Sequence, residues 1–302
     1  MENYLLAMAV FAGCTALMAL GLNVIFGLAG MINLGLVGFF AIGAYASALL
    51  TVKLHVPLLL AWSAAILAAS ACGVGVALIT ARLRGDYLAI VTLGFSEVIR
   101  LVASNEIWLT NGTDGISAIP APGRGVLTPL LFNLQFMVIV WVAVGLAAFL
   151  IARLSAAPFG RVLRAIREDD VIASVAGKPV LRFKLQAFAI GAGLIGAAGA
   201  LYAHFNAYIA PDSFQPLVTI YVVLALTAGG TGTVRGAVLG AVLVVALTEG
   251  TRFLGGVVPG LAAVQVAALR EAIIGVVLIL LLTYRPGGLI AERPRIHKME
   301  VS

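Results

Sequence analysis

Long apolar runs that contain few charged residues constrain this sequence more than any other feature. A helix needs about 20 apolar residues to cross the hydrocarbon core of a bilayer. Nine segments satisfy this requirement: 4–26, 31–52, 57–80, 86–103, 130–152, 184–207, 217–232, 236–254 and 270–284. Only 11% of the residues are charged, against about 25% in an average soluble domain. We therefore predict an all-α integral membrane protein, a polytopic helix bundle with about nine spans (eight to ten).

Two polar, glycine-rich stretches, residues 21–35 and 227–236, interrupt the apolar pattern. Non-helical backbone is tolerated at membrane depth where protein buries it or where it lines a cavity. We therefore expect broken helices at these stretches. The spacing of Glu97 and Arg100 recurs in Glu249 and Arg252, which suggests an internal repeat.

Basic residues between the runs predict the orientation, because cytoplasmic loops are enriched in Lys and Arg. Four basic groups placed in the cytoplasm account for fourteen of the nineteen Lys and Arg residues, and this requires an external N-terminus and a cytoplasmic C-terminus. The groups are Arg82 and Arg84; Arg153, Arg161, Arg164, Arg167, Lys178, Arg182 and Lys184; Arg235; and Arg285, Arg293, Arg295 and Lys298. Basic residues in the predicted cytoplasmic loops account for the net charge of +6. We therefore expect the chain to contact lipid and not nucleic acid.

We predict one transmembrane domain over residues 1–302, with an external loop at 104–129, a cytoplasmic loop at 153–184 and a cytoplasmic tail at 285–302. The first apolar run has no basic n-region, so we expect it to remain in place as a span and not to be cleaved as a signal peptide.

The predicted cytoplasmic loop contains a short amphipathic helix. Pro158 and Gly160 mark its entry, a helix is expected from about 161 to 176, and Gly177 followed by Pro179 is a stop signal. Two interpretations are open, a solvated connector that carries positive-inside charge and a docking helix for a cytoplasmic partner. Mixed charge favours docking, because attraction to lipid would require mainly Lys and Arg.

Ionisable residues within the spans are few, and each costs roughly 2.5–3.5 kcal/mol or more at mid-bilayer. Glu97 and Arg100 are three residues apart on one predicted helix, near its outer end, and can neutralise each other. The pair has either a structural role or a role in the translocation path.

Sequence motifs for catalysis, nucleotide binding and metal binding are absent. The stretch 227–233 lacks the Gly-Lys-Ser/Thr ending of a P-loop, so ATP would have to be bound by another subunit. The three histidines, His55, His204 and His297, have no metal partner at usable spacing, so we expect no metal site.

Seven motifs occur in a specific order: LNVIFGLAG at 22–30, NLG at 33–35, FFAIGAY at 39–45, LRGDYLAIVTLGF at 83–95, TNGTDGI at 110–116, FGRVLRAIREDD at 159–170 and LTAGGTGT at 226–233. Over about residues 15–290 this order resembles the LivM/LivH-type permease subunits of branched-chain amino acid ABC importers, and LivM more closely. Asn33 departs from the pattern, in which a small polar residue such as Ser is expected.

The resemblance implies a heteromeric importer in the bacterial inner membrane. Two permease subunits would form the path, two cytoplasmic ATPases would use ATP and Mg, and a periplasmic binding protein would deliver the solute. This chain would bind no cofactor and would not be an enzyme by itself. Segment 159–178 would meet the ATPase, through Phe159, Gly160, Arg161, Arg164, Arg167, Glu168, Asp169, Asp170 and Gly177. Candidate path residues are Asn23, Asn33, Thr92, Glu97 and Thr227.

Three functions remain open. The leading one is import of branched-chain or related amino acids. A permease of the same family for urea, short amides or another small solute is the nearest alternative. A stand-alone ion-coupled carrier or channel is the alternative from another class, although such carriers often keep acidic residues deep in the membrane.

Overall fold

The computed structural model describes residues 2–81, 83, 85–250, 263–285 and 287–292. Its helices, in chain order, are α1 (Glu2–Leu22), α2 (Leu36–Val52), α3 (Leu58–Ile79), α4 (Asp86–Asn105), α5 (Ile107–Thr110), α6 (Pro129–Ala156), α7 (Pro158–Glu168), α8 (Asp170–Val175), α9 (Val180–Asn206), α10 (Pro216–Gly229), α11 (Val234–Gly250) and α12 (Ala263–Tyr284). A π-helical segment, Asn23–Leu28, continues α1, and short 3₁₀ helices lie at Gly112–Asp114 and Pro211–Phe214.

The prediction of a helical membrane protein is confirmed. Six helical segments are long and apolar enough to cross a bilayer: α1 with its π-helical continuation, α3, α4, α6, α9, and α10 with the 3₁₀ helix before it. Helix α2 is a shorter apolar helix of 17 residues. The described ranges contain no β-strand, although an isolated antiparallel bridge joins Ile116 to Ile209. The total of nine spans and the internal repeat stay predictions.

Helix α9 is the centre of the bundle and packs against α1, α2 and α3. Small residues make the close approach possible. A Cβ atom added to Gly43 of α2 would lie 2.1 Å from the carbonyl oxygen of Gly196 in α9. Since lipid tails are as apolar as Leu, helices in a membrane associate by this kind of close packing.

The expected break in the first glycine-rich stretch is present. Residues 29–35 are non-helical, and α2 begins only at Leu36. Gly35 is wedged against α4, because an added Cβ atom would lie 2.1 Å from the carbonyl oxygen of Thr92. Since Thr92 is the seventh residue of α4, this contact lies about 9 Å along that helix from Asp86. The Gly35 end of the break is therefore covered by protein, whereas Gly30 at its other end is exposed.

The segment between α5 and α6 folds across the end of α9. The amide of Ile119 donates to the carbonyl of Ala207, and the Arg124 guanidinium donates to the carbonyls of His204 (3.0 Å) and Phe205. Partial burial lowers the pKa of the Arg124 guanidinium from its ordinary value. These contacts hold much of the loop predicted at 104–129 against the bundle.

The single helix predicted from about 161 to 176 is wrong. The structure has two helices, α7 and α8, separated at Asp169, whose backbone is extended (φ −158°, ψ 114°). The Asp169 side chain accepts hydrogen bonds from the amides of Val171 (2.8 Å) and Ile172 (3.1 Å). Asp169 is thus the N-cap of α8, and an N-capping side chain stabilises a helix start while the chain changes direction.

Candidate coupling segment and translocation site

The pair α7 and α8 forms a groove on the outside of the bundle. Its volume is about 480 Å³. Apolar side chains line its floor and charged ones its edges: Pro158, Val162, Ala165, Ile172, Ala173 and Ala176, with Arg161, Glu168, Asp169 and Lys178. Ile172 is 68% exposed and the neighbouring Val175 is 85% exposed. Exposed apolar surface with a charged rim is typical of a protein interaction site.

The three arginines of α7 point in different directions. Arg161 is exposed at the edge of the groove. The Arg164 guanidinium donates to the carbonyl of Ser155 at 2.9 Å. Arg167 points into the bundle, where Nη1 donates to the carbonyl of Gly27 and Nη2 forms an ion pair with Glu292 at 2.9 Å. Of the three, Arg161 is therefore the most exposed at the groove.

Arg167 lies at a junction of distant segments. The π-helical continuation of α1 contacts Arg167 at the carbonyl of Gly27, and the non-helical break contacts it at Gly30. A Cβ atom added to Gly30 would lie 2.7 Å from Arg167 Cγ. Residue Gly232, in the turn between α10 and α11, lies beside both Arg167 and Glu292. A displacement of α7 would therefore act directly on the end of α1 and on the break before α2.

The start of the tail is bound to the turn at the end of α10. The amides of Leu289 and Ile290 donate to the carbonyls of Ala228 (2.8 Å) and Gly229 (2.9 Å). Thr233 Oγ1 donates to the carbonyl of Ile290 at 3.2 Å. The same segment contains Glu292, which forms the ion pair with Arg167. The start of the tail is therefore part of the junction.

The remaining predicted coupling residues have mainly local roles. Phe159 packs on Phe183 (ring centroids 5.5 Å apart), and Gly160 leaves room for the backbone of Ser155. Asp170 forms an ion pair with Lys184 of α9 at 3.0 Å. Gly177, at φ +76°, ends the segment in a left-handed turn, as the stop signal predicted.

The polar side chains at the break before α2 hold its backbone. Thr92 Oγ1 accepts a hydrogen bond from the amide of Leu34 at 3.1 Å and donates to the carbonyl of Leu88 at 2.9 Å. Asn33 Oδ1 accepts from the amide of Gly35 at 2.8 Å. Asn33 and Thr92, predicted as path residues, are therefore brought together at one break.

The other predicted path residues lie elsewhere. Asn23 Oδ1 accepts from the amide of Gly232 at 2.9 Å and ties the end of α1 to the α10–α11 turn. Thr227 Oγ1 donates to the carbonyl of Val223 within its own helix. The stretch 227–236 is a turn between two helices and not a break within one. The five residues thus do not form a single site.

Glu97 and Arg100 form the predicted ion pair, with Arg100 Nε 3.0 Å from Glu97 Oε2. Glu97 and Arg100 are the twelfth and fifteenth of the 20 residues of α4, so the pair lies in the half of that helix that ends at Asn105. In the corresponding pair on α11, Glu249 accepts a hydrogen bond from the Tyr4 hydroxyl at 2.7 Å, and Arg252 lies outside the described residues.

Sequence reasoning missed Glu292 and the Leu289–Ile290 contact, and it singled out Gly232 only as part of the stretch 227–236. No local signal identifies them, because each functions through a residue far away in the chain. In the described part of the chain, no group of three or more His, Cys, Asp or Glu side chains is placed to hold a metal ion.

Apolar helices of membrane length, a polar break inside the bundle and an amphipathic helical pair outside it define a polytopic membrane permease. The chain belongs to the family described as the permease component of the branched-chain amino acid transport system, whose model matches residues 4–282.

Individual relatives agree with this assignment. The chain is 33% identical to LivM, the high-affinity branched-chain amino acid transport system permease protein of Escherichia coli (strain K12), over 93% of this chain and 68% of LivM. It is 30% identical to the probable LivM of Methanocaldococcus jannaschii, over 71% of this chain and 63% of that protein. It is 26% identical to LivH of Salmonella typhimurium (strain LT2), over 94% of this chain and 93% of LivH. No solved structure matches the chain.

Proposed function

We propose that this chain is a permease subunit of an importer that moves branched-chain or related amino acids across the bacterial inner membrane, powered by separate ATPase subunits. The observation that carries the proposal is the groove between α7 and α8, which presents Ile172 and a charged rim on the outside of a membrane bundle. The names of the relatives support the amino acid substrate. The complex would comprise two permease subunits, two ATPases that use ATP and Mg, and a periplasmic binding protein.

The arrangement of charges supports a cytoplasmic location for the groove. The loop 153–184, the turn after α10 and the start of the tail meet at the Arg167 junction, and all belong to the basic groups of the sequence. Positive charge concentrates on the cytoplasmic side. We therefore place this end and the C-terminus in the cytoplasm, and the N-terminus and the loop 104–129 outside, in a single transmembrane domain of residues 1–302.

The Arg167 junction supplies a physical route for coupling. Movement of an ATPase seated in the groove would displace α7. The guanidinium of Arg167 would transmit that displacement to the carbonyl of Gly27 and to Glu292. The break at 29–35 lies next to the same side chain and is held at its far end by Thr92. A non-helical segment rearranges with less loss of backbone hydrogen bonding than a continuous helix, so the break is the element we expect to move.

The path assignments follow from this route. We propose that Glu97, on a partly exposed face of α4, faces the path, whereas Asn33 and Thr92 shape the break beside it. Asn23 and Thr227 then have structural roles, because the Asn23 carbonyl oxygen is bonded to Gly232 and the Thr227 hydroxyl is bonded within α10.

Docking is tested by co-purification of the ATPase subunits with the assembled permease. Ile172→Asp places a charge on the apolar floor of the groove and should reduce the recovered ATPase several-fold. Ser174→Asp is the matched control, since it adds the same charge to an exposed position of α8 that does not line the groove. Equal recovery from both variants would contradict the docking assignment.

A further inference from the structure

The second half of α4 presents a charged pair on a face that is open in the isolated chain. The Glu97 side chain is 37% exposed and the Arg100 side chain 25% exposed. Val98 and Leu101 are exposed beside them, and no atom lies within 4 Å of the Cβ position of Gly94. A charged pair inside a spanning helix is costly to leave in lipid. This face of α4 is therefore better explained as one wall of a polar path.

A third charge joins this pair from another part of the chain. The 3₁₀ helix Pro211–Phe214 packs against α4, and its exposed residue Asp212 interacts electrostatically with Arg100. The carboxylates of Glu97 and Asp212 thus both act electrostatically on the Arg100 guanidinium. The sequence pattern gave no indication of Asp212, which lies more than a hundred residues from Arg100.

An unpartnered hydroxyl lies in α2, which packs against the same 3₁₀ helix. Tyr45 of α2 is only 6% exposed, and within the described ranges its hydroxyl has no hydrogen-bond partner. Its ring packs on Phe214 with the centroids 5.5 Å apart, and the side chain interacts electrostatically with Asp212. A buried hydroxyl without a partner is uncommon, because an unmade hydrogen bond costs free energy. The hydroxyl is available to donate to a group that enters next to Asp212.

These groups match the head group of an α-amino acid. The ammonium of a zwitterion needs carboxylate acceptors, and its carboxylate needs donors such as a guanidinium fork. When a zwitterion binds, its ammonium can replace Arg100 as the partner of Glu97 and its carboxylate can replace Glu97 as the partner of Arg100. Asp212 then offers the ammonium a second acceptor. A simple amine or a simple carboxylate satisfies only one member of the Glu97 and Arg100 pair. Val98 and Leu101 offer apolar contact for a branched side chain.

We propose that Glu97, Arg100 and Asp212, with the Tyr45 hydroxyl, form a transit site for the zwitterionic head group of an α-amino acid. The inference rests on the proposed permease function and adds a location for the substrate. Because the ligand must displace an existing ion pair, binding is weak, and weak binding suits a site that must release its ligand onward.

The first test measures ATP-dependent leucine uptake by the reconstituted complex. Arg100→Gln and Asp212→Asn should each lower uptake about tenfold or more while ATPase co-purification stays at the wild-type level. Glu106→Gln is the matched control, because this half-buried carboxylate follows α4 and accepts a hydrogen bond from the Trp108 indole, which an amide oxygen also accepts. Wild-type uptake by Arg100→Gln would overturn the site and leave the permease function standing. Absence of uptake by the wild-type complex would instead overturn the permease function on which the site depends.

The second test leaves the charged groups intact. In complexes that carry Val98→Cys, millimolar leucine should slow labelling of the new thiol by a small maleimide several-fold relative to buffer. The analogue 4-methylpentanoate, which lacks the ammonium, should not slow it at the same concentration. The analogue 3-methylbutylamine, which offers Arg100 no carboxylate, should slow it less than leucine does. Equal labelling with and without leucine, or equal protection by all three compounds, would overturn the assignment.

Discussion

Replacement of Thr92 by Val tests how the break before α2 is held. The two side chains have nearly the same shape, so the substitution leaves no cavity at this fully buried position. It removes the acceptor for the Leu34 amide (3.1 Å) and the donor to the Leu88 carbonyl (2.9 Å). The Leu88 carbonyl is already within a helix, but the Leu34 amide lies in the non-helical segment. We therefore expect a loss of about 1–3 kcal/mol, the cost of leaving a buried amide unpaired.

The measurement is equilibrium unfolding of the purified chain in mixed detergent micelles, with Thr51→Val as the control. Thr51 is also buried, but its hydroxyl donates to carbonyls of its own helix. Back-bonding of this kind does not stabilise a helix, so the free energy of unfolding should change by about zero. A loss of 1 kcal/mol or more changes the unfolding equilibrium constant by roughly fivefold or more. If Thr92→Val and Thr51→Val have the same free energy of unfolding, the proposed role of Thr92 in holding the break is refuted.

Three further predictions concern the break, the junction and the coupling segment. Gly35→Ala should abolish accumulation of folded protein, because its Cβ atom would meet the α4 backbone, whereas Gly94→Ala, with open space around its Cβ, should be tolerated; immunoblots of membranes distinguish the two. Arg167→Lys should lower leucine uptake more than ATPase co-purification, because one ammonium cannot reproduce the guanidinium's contacts with both Gly27 and Glu292. Equal proportional losses of uptake and co-purification would contradict the coupling route. Asp169→Ala should destabilise α8 by about 1 kcal/mol and Asp169→Asn much less; equal hydrogen-exchange rates of the α8 amides in the two variants would count against the cap.

The sequence predicts the helices of this fold better than it predicts their ends. Apolar runs identify the spans because only a helix satisfies backbone groups inside lipid. The glycine- and asparagine-rich stretch at 21–35 predicts the break for the same reason. The second stretch, 227–236, has similar composition but forms a turn between α10 and α11. Composition alone does not specify how deep a polar stretch lies, so it does not separate a break from a turn.

The candidate sites were predictable only where local chemistry decides them. The pairing of Glu97 with Arg100 follows from their spacing on one helix. The end of the coupling segment at Gly177 follows from the residue type, because glycine readily adopts the left-handed conformation found there. The inward direction of Arg167 does not follow from its helix, because its partners Gly27 and Glu292 are more than a hundred residues away in the chain. The family resemblance implied that all three arginines of α7 meet a partner, whereas Arg164 and Arg167 form hydrogen bonds within the chain.

The central claim is that this chain transports its solute only together with ATPase subunits. The direct measurement is uptake of radiolabelled leucine into proteoliposomes that contain either this chain with its partner permease or the complete complex with ATPases and binding protein. We predict uptake by the complete complex with ATP and Mg, and none by either preparation without ATP. Leucine uptake by the permease subunits alone, driven by an ion gradient or without any energy source, would contradict the account.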